Sequence, residues 1–540
     1  MSAMPEQPLQ HIDRRRGPPR LIALAPLTGL LLTLILLLAD MIPLGIPGEW
    51  VWPRQPLPAD VAELADRLFW PFLAGMLLIG AAIFGELEFS LLRLNRLQRT
   101  IHLLLLTVST LLWHSAVLQS SASPHRELRP LWILYDRSAS GYYLRALEDR
   151  RPLRQFLAEY ESEAAKGDVL HAGTHPPGLL LLNRAALAAA RSSRFSGLIN
   201  TAISLQPVDA VDAFRRVETE AGLAPRLTDQ QLAALALTSF GSLVICSCLP
   251  LAVYLLLRQF VSSRDAWRSA ALAAVIPCID LFQPRSDVLY PVLSILLLAL
   301  LSGSLLPHRL ITRIGLASAG GMLLFGSLLV SLAHLPTLAA ALLFATLYTA
   351  TQPHRKLAVA RTAVSMAFAL TTFAGCVIML QVLTDCSLLR IWQLNLGNHA
   401  GFYQQYPRTW WKWLLVNPLE MGLATGLPVM LLVPAAVRRA CSSAVGQVSA
   451  GRPIGQLCVA LTGTWLLLWL SGKNMGEAAR LWCFAAPWWM VCLAAPGTGT
   501  DQPPMARKSW RVLLFCQSAA GVATTALASG YHLMLGDTTG

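Results

Sequence analysis

The sequence predicts an all-α protein that crosses a membrane many times. Of its 540 residues, 54% are hydrophobic and only 14% are charged, whereas about a quarter of the residues in soluble domains are charged. The apolar residues form runs near the roughly 20 residues that a helix needs to cross a bilayer. The net charge of +13 comes from short basic clusters between these runs, which is typical of cytoplasmic anchors and not of a nucleic-acid-binding surface.

About thirteen apolar runs have the length expected of membrane-spanning helices. They lie near residues 21–41, 69–87, 101–118, 231–257, 268–283, 287–306, 314–333, 336–351, 362–384, 417–437, 454–470, 481–495 and 512–534. With the basic N-terminus in the cytoplasm, Lys and Arg fall on every second loop, provided that residues 179–190 do not cross. That run is short, carries Asn183 and Arg184, and follows two prolines, which predicts a juxtamembrane or re-entrant helix.

This count divides the chain into an N-terminal pair of spans, a central module and a C-terminal group of helices. The boundaries are residues 1–100, residues 101–310 with an outer loop at 119–230, and residues 311–540 with outer loops at 385–416 and 471–480. The polar clusters that lack an evident packing role all fall on the outer side. Because polar groups near lipid are costly unless they are buried in protein or face water, we expect one extracytoplasmic site.

The outer loop 119–230 holds the first candidate catalytic residues. Asp136 follows Trp132 and Tyr135, and a carboxylate beside aromatic rings at the membrane boundary has the chemistry of a general base. The alternative is that Asp136 caps a helix or pairs with a nearby arginine. His175 precedes Pro176-Pro177-Gly178, so it is predicted either to bind a substrate hydroxyl or phosphate or to form a plain structural elbow.

His171 lies four residues before His175, the spacing of two metal ligands on one helix face. The proline after His175 favours an extended backbone there, and no glutamate lies between the two histidines. The sequence therefore predicts no metal site, and His171 remains a candidate substrate contact. The ten cysteines lie mostly in or beside apolar runs without metal-ligand spacing, as expected of packing residues.

Three later outer segments carry candidate phosphate ligands. The aromatic residues between Asn395 and Trp413 are typical of an interfacial anchor, but an arginine on the outer side is not, and a guanidinium suits phosphate. Helical spacing over 471–480 would place Glu477 beside both Lys473 and Arg480, either as an internal ion pair or as a phosphate site. Asp287 lies in a tight hairpin and is either a turn residue or a substrate contact. The candidate ligands in these segments are Asp287, His399, Tyr403, Arg408, Lys473, Glu477 and Arg480.

The order of these residues resembles the GT-C superfamily of integral-membrane glycosyltransferases, which includes protein O-mannosyltransferases and lipid A aminoarabinose transferases. The resemblance covers residues 101–290. It consists of an outer loop that opens with Asp136, the aromatic pair Tyr142 and Tyr143, and the His175-Pro-Pro-Gly elbow. Here Arg137 follows the acid directly, and two extra spans precede the module, so Asp40 and Glu49 in the first outer loop are rival catalytic acids.

The resemblance implies transfer of a sugar from a polyprenyl-phosphate donor to an acceptor on the extracytoplasmic face of an inner or plasma membrane. It implies no cofactor, although some relatives need a divalent metal. The residues fit this chemistry: a base for the acceptor, cations for the departing phosphate and an apolar groove for the lipid. Asp136 is the predicted base, His175 orients the substrate, and Tyr142 and Tyr143 contact it. The alternatives are a transporter or flippase of an anionic or lipid-linked substrate, and a non-catalytic assembly subunit.

Overall fold

A computed structural model of the chain describes residues 20–39, 42–91, 94–168, 172–207, 209–220, 226–445, 452–495 and 505–532. Nearly all of the regular structure in these ranges is helical. The first part holds α1 (Arg20–Leu38), a hairpin of β1 (Gly45–Ile46) and β2 (Trp50–Val51), α2 (Val61–Leu91) and α3 (Arg96–Val117). The two strands pair antiparallel, with Gly45 opposite Val51.

The described residues between α3 and residue 228, a segment that is predicted to face outward and is named the outer segment, form seven short α-helices. Each has 13 residues or fewer, which is below the length needed to cross a bilayer. They are α4 (His125–Tyr135), α5 (Tyr142–Glu148), α6 (Leu153–Ala158), α7 (Tyr160–Ala165), α8 (Gly178–Ala190), α9 (Ser196–Ser204) and α10 (Ala210–Glu220). The short helix predicted at 179–190 is present as α8.

The remaining helices are mostly long and apolar. They are α11 (Asp229–Ser247), α12 (Leu249–Leu257), α13 (Ser263–Ala273), α14 (Pro277–Phe282), α15 (Tyr290–Leu305), α16 (Leu310–Val330), α17 (Leu335–Ala350), α18 (Arg355–Thr384), α19 (Leu388–Gln405), α20 (Trp410–Thr425), α21 (Leu427–Met430), α22 (Val433–Val445), α23 (Arg452–Leu470), α24 (Ala478–Leu481), α25 (Ala486–Leu493) and α26 (Arg507–Leu527). Thr228 and Gln231 form a reciprocal capping box that begins α11.

Eight helical segments within the described ranges are long and apolar enough to cross a membrane. They are Val61–Ser90, Arg96–Ser120, Asp229–Leu257, Ser286–Leu305, Leu310–Val330, Leu332–Ala350, Arg355–Thr384 and Pro453–Leu470. Three shorter apolar helices accompany them, at Leu24–Leu38, Gly178–Ala190 and Cys483–Leu493. An all-α integral membrane protein is thus confirmed, whereas the count of thirteen spans is not.

The predicted spans at 268–283 and 417–437 are both interrupted. The run at 268–283 divides into α13 and α14, because Pro277 begins a new helix after an extended Ile276. The run at 417–437 breaks at Gly426, whose φ of +102° ends α20. A Cβ at Gly426 would lie 2.1 Å from the side-chain amide of Gln517, so α26 packs directly against the break.

The helix packing brings together segments that are distant in the sequence. In the outer segment, α8 packs against α5 and α11, while α7 packs against α19. Farther along the chain, α20 packs against α24. The segment 395–413 is predicted as a loop, but most of it forms the second half of α19. This helix packs against α7.

Candidate functional site

The turn after α14 carries one arginine and one carboxylate. Buried Arg129 donates from Nε to the Gln283 carbonyl at 2.8 Å and from a terminal nitrogen to the Asp280 carbonyl. These bonds satisfy buried carbonyls and fix the turn. Arg285 is thereby held with only 7% of its surface exposed, and Asp287 is half-buried.

The carboxylate of Asp287 accepts no hydrogen bond and forms no close ion pair within the part of the chain that the structure describes. It instead interacts electrostatically with Arg285, Arg480 and the ring of Tyr142. Burial, together with the charge of Arg480, lowers the pKa of Arg285 to about 10. Arg285 therefore remains a cation at neutral pH.

The loop from 471 to 477 supplies a second acid and a second arginine. Gly472 and Gly476 have φ of +64° and +83°, and Glu477 itself has φ of +53°. Because this backbone is not helical, the predicted i,i+4 neighbours Lys473 and Glu477 do not share a helix face, and that part of the prediction is wrong. The other part is confirmed, since a Glu477 oxygen lies 2.5 Å from Arg480 Nη2.

Arg408 lies against the same loop. Its guanidinium carbon is 5.7 Å from the ring centroid of Trp413, and a Cβ at Gly476 would lie 3.4 Å from Arg408 Nη1. Tyr403 interacts electrostatically with both Arg408 and Glu477. We name Arg285, Asp287, Arg408, Glu477 and Arg480 the charged cluster.

Three arginines of the charged cluster have hydrogen-bond donors without acceptors. Among the described residues, no acceptor pairs with the buried Nε of Arg285, Nε and Nη1 of Arg408, or Nε of Arg480. Buried donors in folded proteins are nearly always paired with protein, water or ligand. The charged cluster therefore suits an anionic group with several acceptor oxygens, such as a phosphate.

Residues of α19 hold the 471–477 loop in place. Tyr403 Oη donates to the Lys473 carbonyl at 3.0 Å and accepts from the Met475 amide at 2.7 Å. His399 packs edge-on against Tyr403, with 6.4 Å between ring centroids. Burial and the nearby charge of Lys473 lower the pKa of His399, which favours the neutral imidazole. Lys473 itself is exposed at the edge of the loop.

The His175 elbow lies beside the charged cluster. Asn395 and Asn398 each donate to the Gly173 carbonyl at 2.8 Å, and Tyr160 donates to the His175 carbonyl at 2.9 Å. The imidazole packs edge-on against Tyr142, with ring centroids 5.6 Å apart. Since Tyr142 also interacts with Asp287 and Arg480, the elbow and the arginines share one site.

Asp136 and Tyr143 make contacts of their own, away from the arginines of the charged cluster. Asp136 accepts from the Ser138 amide at 3.1 Å and from its hydroxyl at 2.7 Å, and no contact of the described residues joins it to the charged cluster. Tyr143 is 1% exposed, and its hydroxyl donates to the Gln231 carbonyl at 2.5 Å, which packs α5 onto α11. His171 lies outside the described residues.

The rival acids of the first outer loop are not equivalent. Asp40 lies outside the described residues. Glu49 accepts from the Thr409 amide at 2.9 Å, the Thr409 hydroxyl at 2.5 Å and Trp413 Nε1 at 2.7 Å. Burial raises its pKa, but these hydrogen bonds outweigh burial and hold the pKa below its usual value. Glu49 therefore anchors the N-terminal hairpin to the start of α20.

An apolar cavity of about 190 Å³ adjoins the site. Tyr142 and Ser286 line it on the side of the charged cluster, and Leu179, Leu182 and Ile245 are among its apolar walls. These walls belong to α8 and to the candidate span that contains α11. The cavity thus reaches Ser286, the residue next to Asp287.

Sequence reasoning missed several residues of the site. Tyr290, 3% exposed, interacts with Asp287 and Arg480, and its ring lies 5.2 Å from that of the fully buried His334. Glu420, 3% exposed, accepts from the Ala479 amide at 3.4 Å and interacts with Glu477. The sequence signal for Glu420 is its position inside the apolar run that begins at Asn417. Ionisable residues inside membrane segments are rare and usually functional.

No family model, curated protein or solved structure matches this chain. Among the residues that the structure describes, no three or more His, Cys, Asp or Glu side chains lie together in a group that would bind a metal ion.

Proposed function

We propose that the protein is a membrane glycosyltransferase that moves a sugar from a polyprenyl-phosphate donor to an acceptor on the extracytoplasmic face. The observation that carries the proposal is the convergence of three arginines with unpaired buried donors, an open carboxylate and an apolar cavity at one site. A lipid-linked sugar phosphate has the matching parts in the same order, namely a hydrocarbon tail, an anionic phosphate and a sugar with hydroxyl groups.

The phosphate would bind at Arg285, Arg408 and Arg480. The guanidinium groups supply N–H donors in a rigid fork that matches phosphate oxygens. Glu477 neutralises part of the charge of Arg480 through their 2.5 Å contact and fixes its orientation. The lipid tail would leave the phosphate through the cavity between α8 and α11.

The reaction needs a proton acceptor and a stabilised leaving group. A carboxylate takes the proton from an acceptor hydroxyl, the acceptor oxygen bonds to C1 of the sugar, and the bond from C1 to the phosphate oxygen breaks. The phosphate leaves with that electron pair, and the arginines stabilise its added charge. The bonds and charges of this step balance without a metal ion.

We assign the role of base to Asp287 in preference to Asp136. Both oxygens of Asp136 accept from Ser138, whereas the Asp287 carboxylate faces Arg480 and Tyr142 without a hydrogen-bonding partner among the described residues. A base must lie within hydrogen-bond reach of the reacting hydroxyl, and the arginine side of the site is where the sugar phosphate would bind. His175, beside Tyr142, would orient the sugar.

The first prediction compares the two aspartates. Purified protein in liposomes would be incubated with a panel of radiolabelled polyprenyl-phosphate sugars and a membrane extract as the source of acceptors. We expect Asp287→Asn to lower transfer about 100-fold or more, the usual contribution of a general base, with thermal stability unchanged. Asp136→Asn serves as the matched control and should retain activity within about threefold, because its Ser138 contacts cap a turn.

Other outcomes would redirect the assignment. Loss of transfer in Asp136→Asn alone would return the role of base to that residue. Movement of the labelled lipid across the bilayer without a new glycosidic bond would instead identify a transporter or flippase. If neither binding nor transfer of any donor in the panel is detected, the proposed donor class is wrong.

A further inference from the structure

A second, larger cavity lies in the outer segment, on the opposite face of α8 from the apolar cavity. It has a volume of about 1310 Å³. Leu181, Arg184 and Ala188 of α8 line it, whereas Leu179, Leu182 and Ala186 line the apolar cavity. Residues three, four and seven positions apart share one face of a helix, so α8 separates the two spaces.

The charge of this cavity is unbalanced. It is lined by two acids, Glu148 and Asp149, and by five arginines, Arg137, Arg150, Arg184, Arg191 and Arg226. Both acids are already neutralised, since Glu148 pairs with Arg137, and Asp149 lies 2.6 Å from Nη2 of Arg151 outside the lining. The lining therefore carries an excess of positive charge.

Three of the lining arginines have no protein partner among the described residues. The side chains of Arg150, Arg191 and Arg226 form no hydrogen bond or ion pair there, and all three are exposed. By contrast, Arg184 lies 3.5 Å from Asp149 and 4.8 Å from the centroid of the Phe156 ring. The three unpaired cations are available to an external anion.

The rest of the lining is mostly apolar and adjoins the start of a candidate membrane span. Leu144, Leu147, Leu181 and Leu227 contribute to the wall, and Leu227 is two residues before the start of the candidate span Asp229–Leu257. A ligand that satisfies both halves of the lining needs an anionic head group and a hydrocarbon part. A soluble anion would leave the leucines uncovered, and a neutral lipid would leave the arginines unpaired.

We infer that this cavity binds an anionic lipid of the bilayer, with its head group on Arg150, Arg191 and Arg226 and its hydrocarbon chains on the leucine wall. This site is distinct from the charged cluster, and the inference does not rest on the proposed sugar transfer. The two sites are close, because Tyr142 of the first and Ala146 of the second lie four residues apart on α5, which is about 6 Å along a helix axis.

The experiment measures lipid binding by the full-length protein in a nonionic detergent. The probes are dioctanoyl phosphatidic acid, dioctanoyl phosphatidylcholine with the same chains, and inorganic phosphate, each titrated by calorimetry. We expect phosphatidic acid to bind about tenfold or more tightly than phosphatidylcholine or phosphate, since only it supplies both charge and hydrocarbon. A triple substitution, Arg150→Gln, Arg191→Gln and Arg226→Gln, should remove this preference.

A matched control removes the same charge elsewhere on the outer segment. Arg154, Arg194 and Arg216 are exposed and do not line the cavity, so their triple substitution to Gln should leave phosphatidic acid binding within about twofold of the unmodified protein. The unmodified protein gives a second readout, because added salt shortens the Debye length from about 10 Å at 0.1 M to about 3 Å at 1 M and should weaken binding.

Each contrary result overturns the inference. Equal affinity for phosphatidylcholine would mean that the arginines do not select the ligand. Equal affinity for inorganic phosphate would indicate a site for soluble anions. Equal loss in the two triple variants, or binding that is independent of salt, would show that the bound lipid is not in this cavity. The lipid-binding measurements do not depend on sugar transfer. They would therefore still support the inference if no sugar donor were transferred.

Discussion

At the scale of single residues, the site is defined by polar groups whose hydrogen-bonding capacity is not used within the protein. In the described part of the chain, buried guanidinium nitrogens of Arg285, Arg408 and Arg480 lack acceptors, whereas the Glu49 carboxylate accepts three hydrogen bonds. Buried polar groups cost free energy unless they are paired. The first group therefore indicates binding, and the second indicates structural anchoring.

The anchoring role of Glu49 predicts a pH-dependent loss of stability in Glu49→Gln. The hydrogen bonds that lower its pKa in the folded state stabilise the fold fully above the unfolded pKa, and this contribution is lost as the pH falls through the folded pKa. We expect the variant to lose about 1–3 kcal/mol at pH 7, seen as a lower thermal midpoint in detergent. The difference from the unmodified protein should shrink as the pH is lowered below the usual glutamate pKa of 4.5.

A surface carboxylate provides the comparison. Glu161 is 44% exposed and lies 3.5 Å from Arg390, and exposed pairs of this kind contribute about 0–1 kcal/mol. Glu161→Gln should therefore change the midpoint little at either pH. If Glu49→Gln were as mild as Glu161→Gln at pH 7, Glu49 would not be an anchor and would return to the list of candidate catalytic acids.

At the scale of elements, the fold depends on close approach between helices. The long helix α18 is mostly exposed, with only 11% of its most apolar window buried, and its main neighbour is α16. A Cβ at Gly321 of α16 would lie 2.1 Å from the Ala369 carbonyl of α18. Small residues at such contacts allow helix backbones to meet within lipid, where dispersion contacts and not the hydrophobic effect hold helices together.

This contact predicts that Gly321→Leu separates α18 from α16. Because backbone atoms cannot move aside as a flexible side chain does, we expect a loss of about 1–3 kcal/mol, the usual cost of overpacking. Thermal unfolding in detergent would measure it. Gly315→Leu, in the same helix but with nothing within 4 Å of its Cβ position, is the control and should have little effect. Equal effects of both substitutions would contradict the proposed contact.

At the scale of the whole molecule, residues from four separate stretches meet at one site. The His175 elbow, the turn at Asp287, the end of α19 with Arg408, and the loop at Glu477 are spread over about 300 residues of sequence. Their convergence means that they lie on one side of the membrane. The distribution of basic residues predicts that this side is the extracytoplasmic one.

The orientation is open to direct measurement with a membrane-impermeant maleimide. Lys166→Cys in the outer segment and Lys473→Cys beside the charged cluster are both exposed positions, and we expect both to react in intact cells. The native Cys441 is exposed and follows Arg438 and Arg439, so it should react only after the membrane is opened. Reaction of Cys441 in intact cells, with protection of the two introduced cysteines, would invert the orientation and move the site to the cytoplasm.

Much of the fold can be predicted from local sequence patterns. The number of spans and the contacts between site residues from distant segments cannot. The apolar runs, the short helix at 179–190 and the pair formed by Glu477 and Arg480 follow from composition and near spacing. The helix breaks at Pro277 and Gly426 are not predicted, because hydrophobicity along a run does not distinguish one continuous helix from two shorter ones. Lys473 was placed on a helix that Gly472, Gly476 and Glu477 prevent by their positive φ values.

The sequence by itself determined that this chain is an all-α membrane protein with polar residues concentrated in a few segments, because hydrophobic length and charge are local properties that the bilayer selects. Only the tertiary structure decided that Arg285, Tyr290 and Glu420 belong with Glu477 and Arg480. Burial and hydrogen-bond pairing depend on which helices pack together, and that packing joins residues hundreds of positions apart.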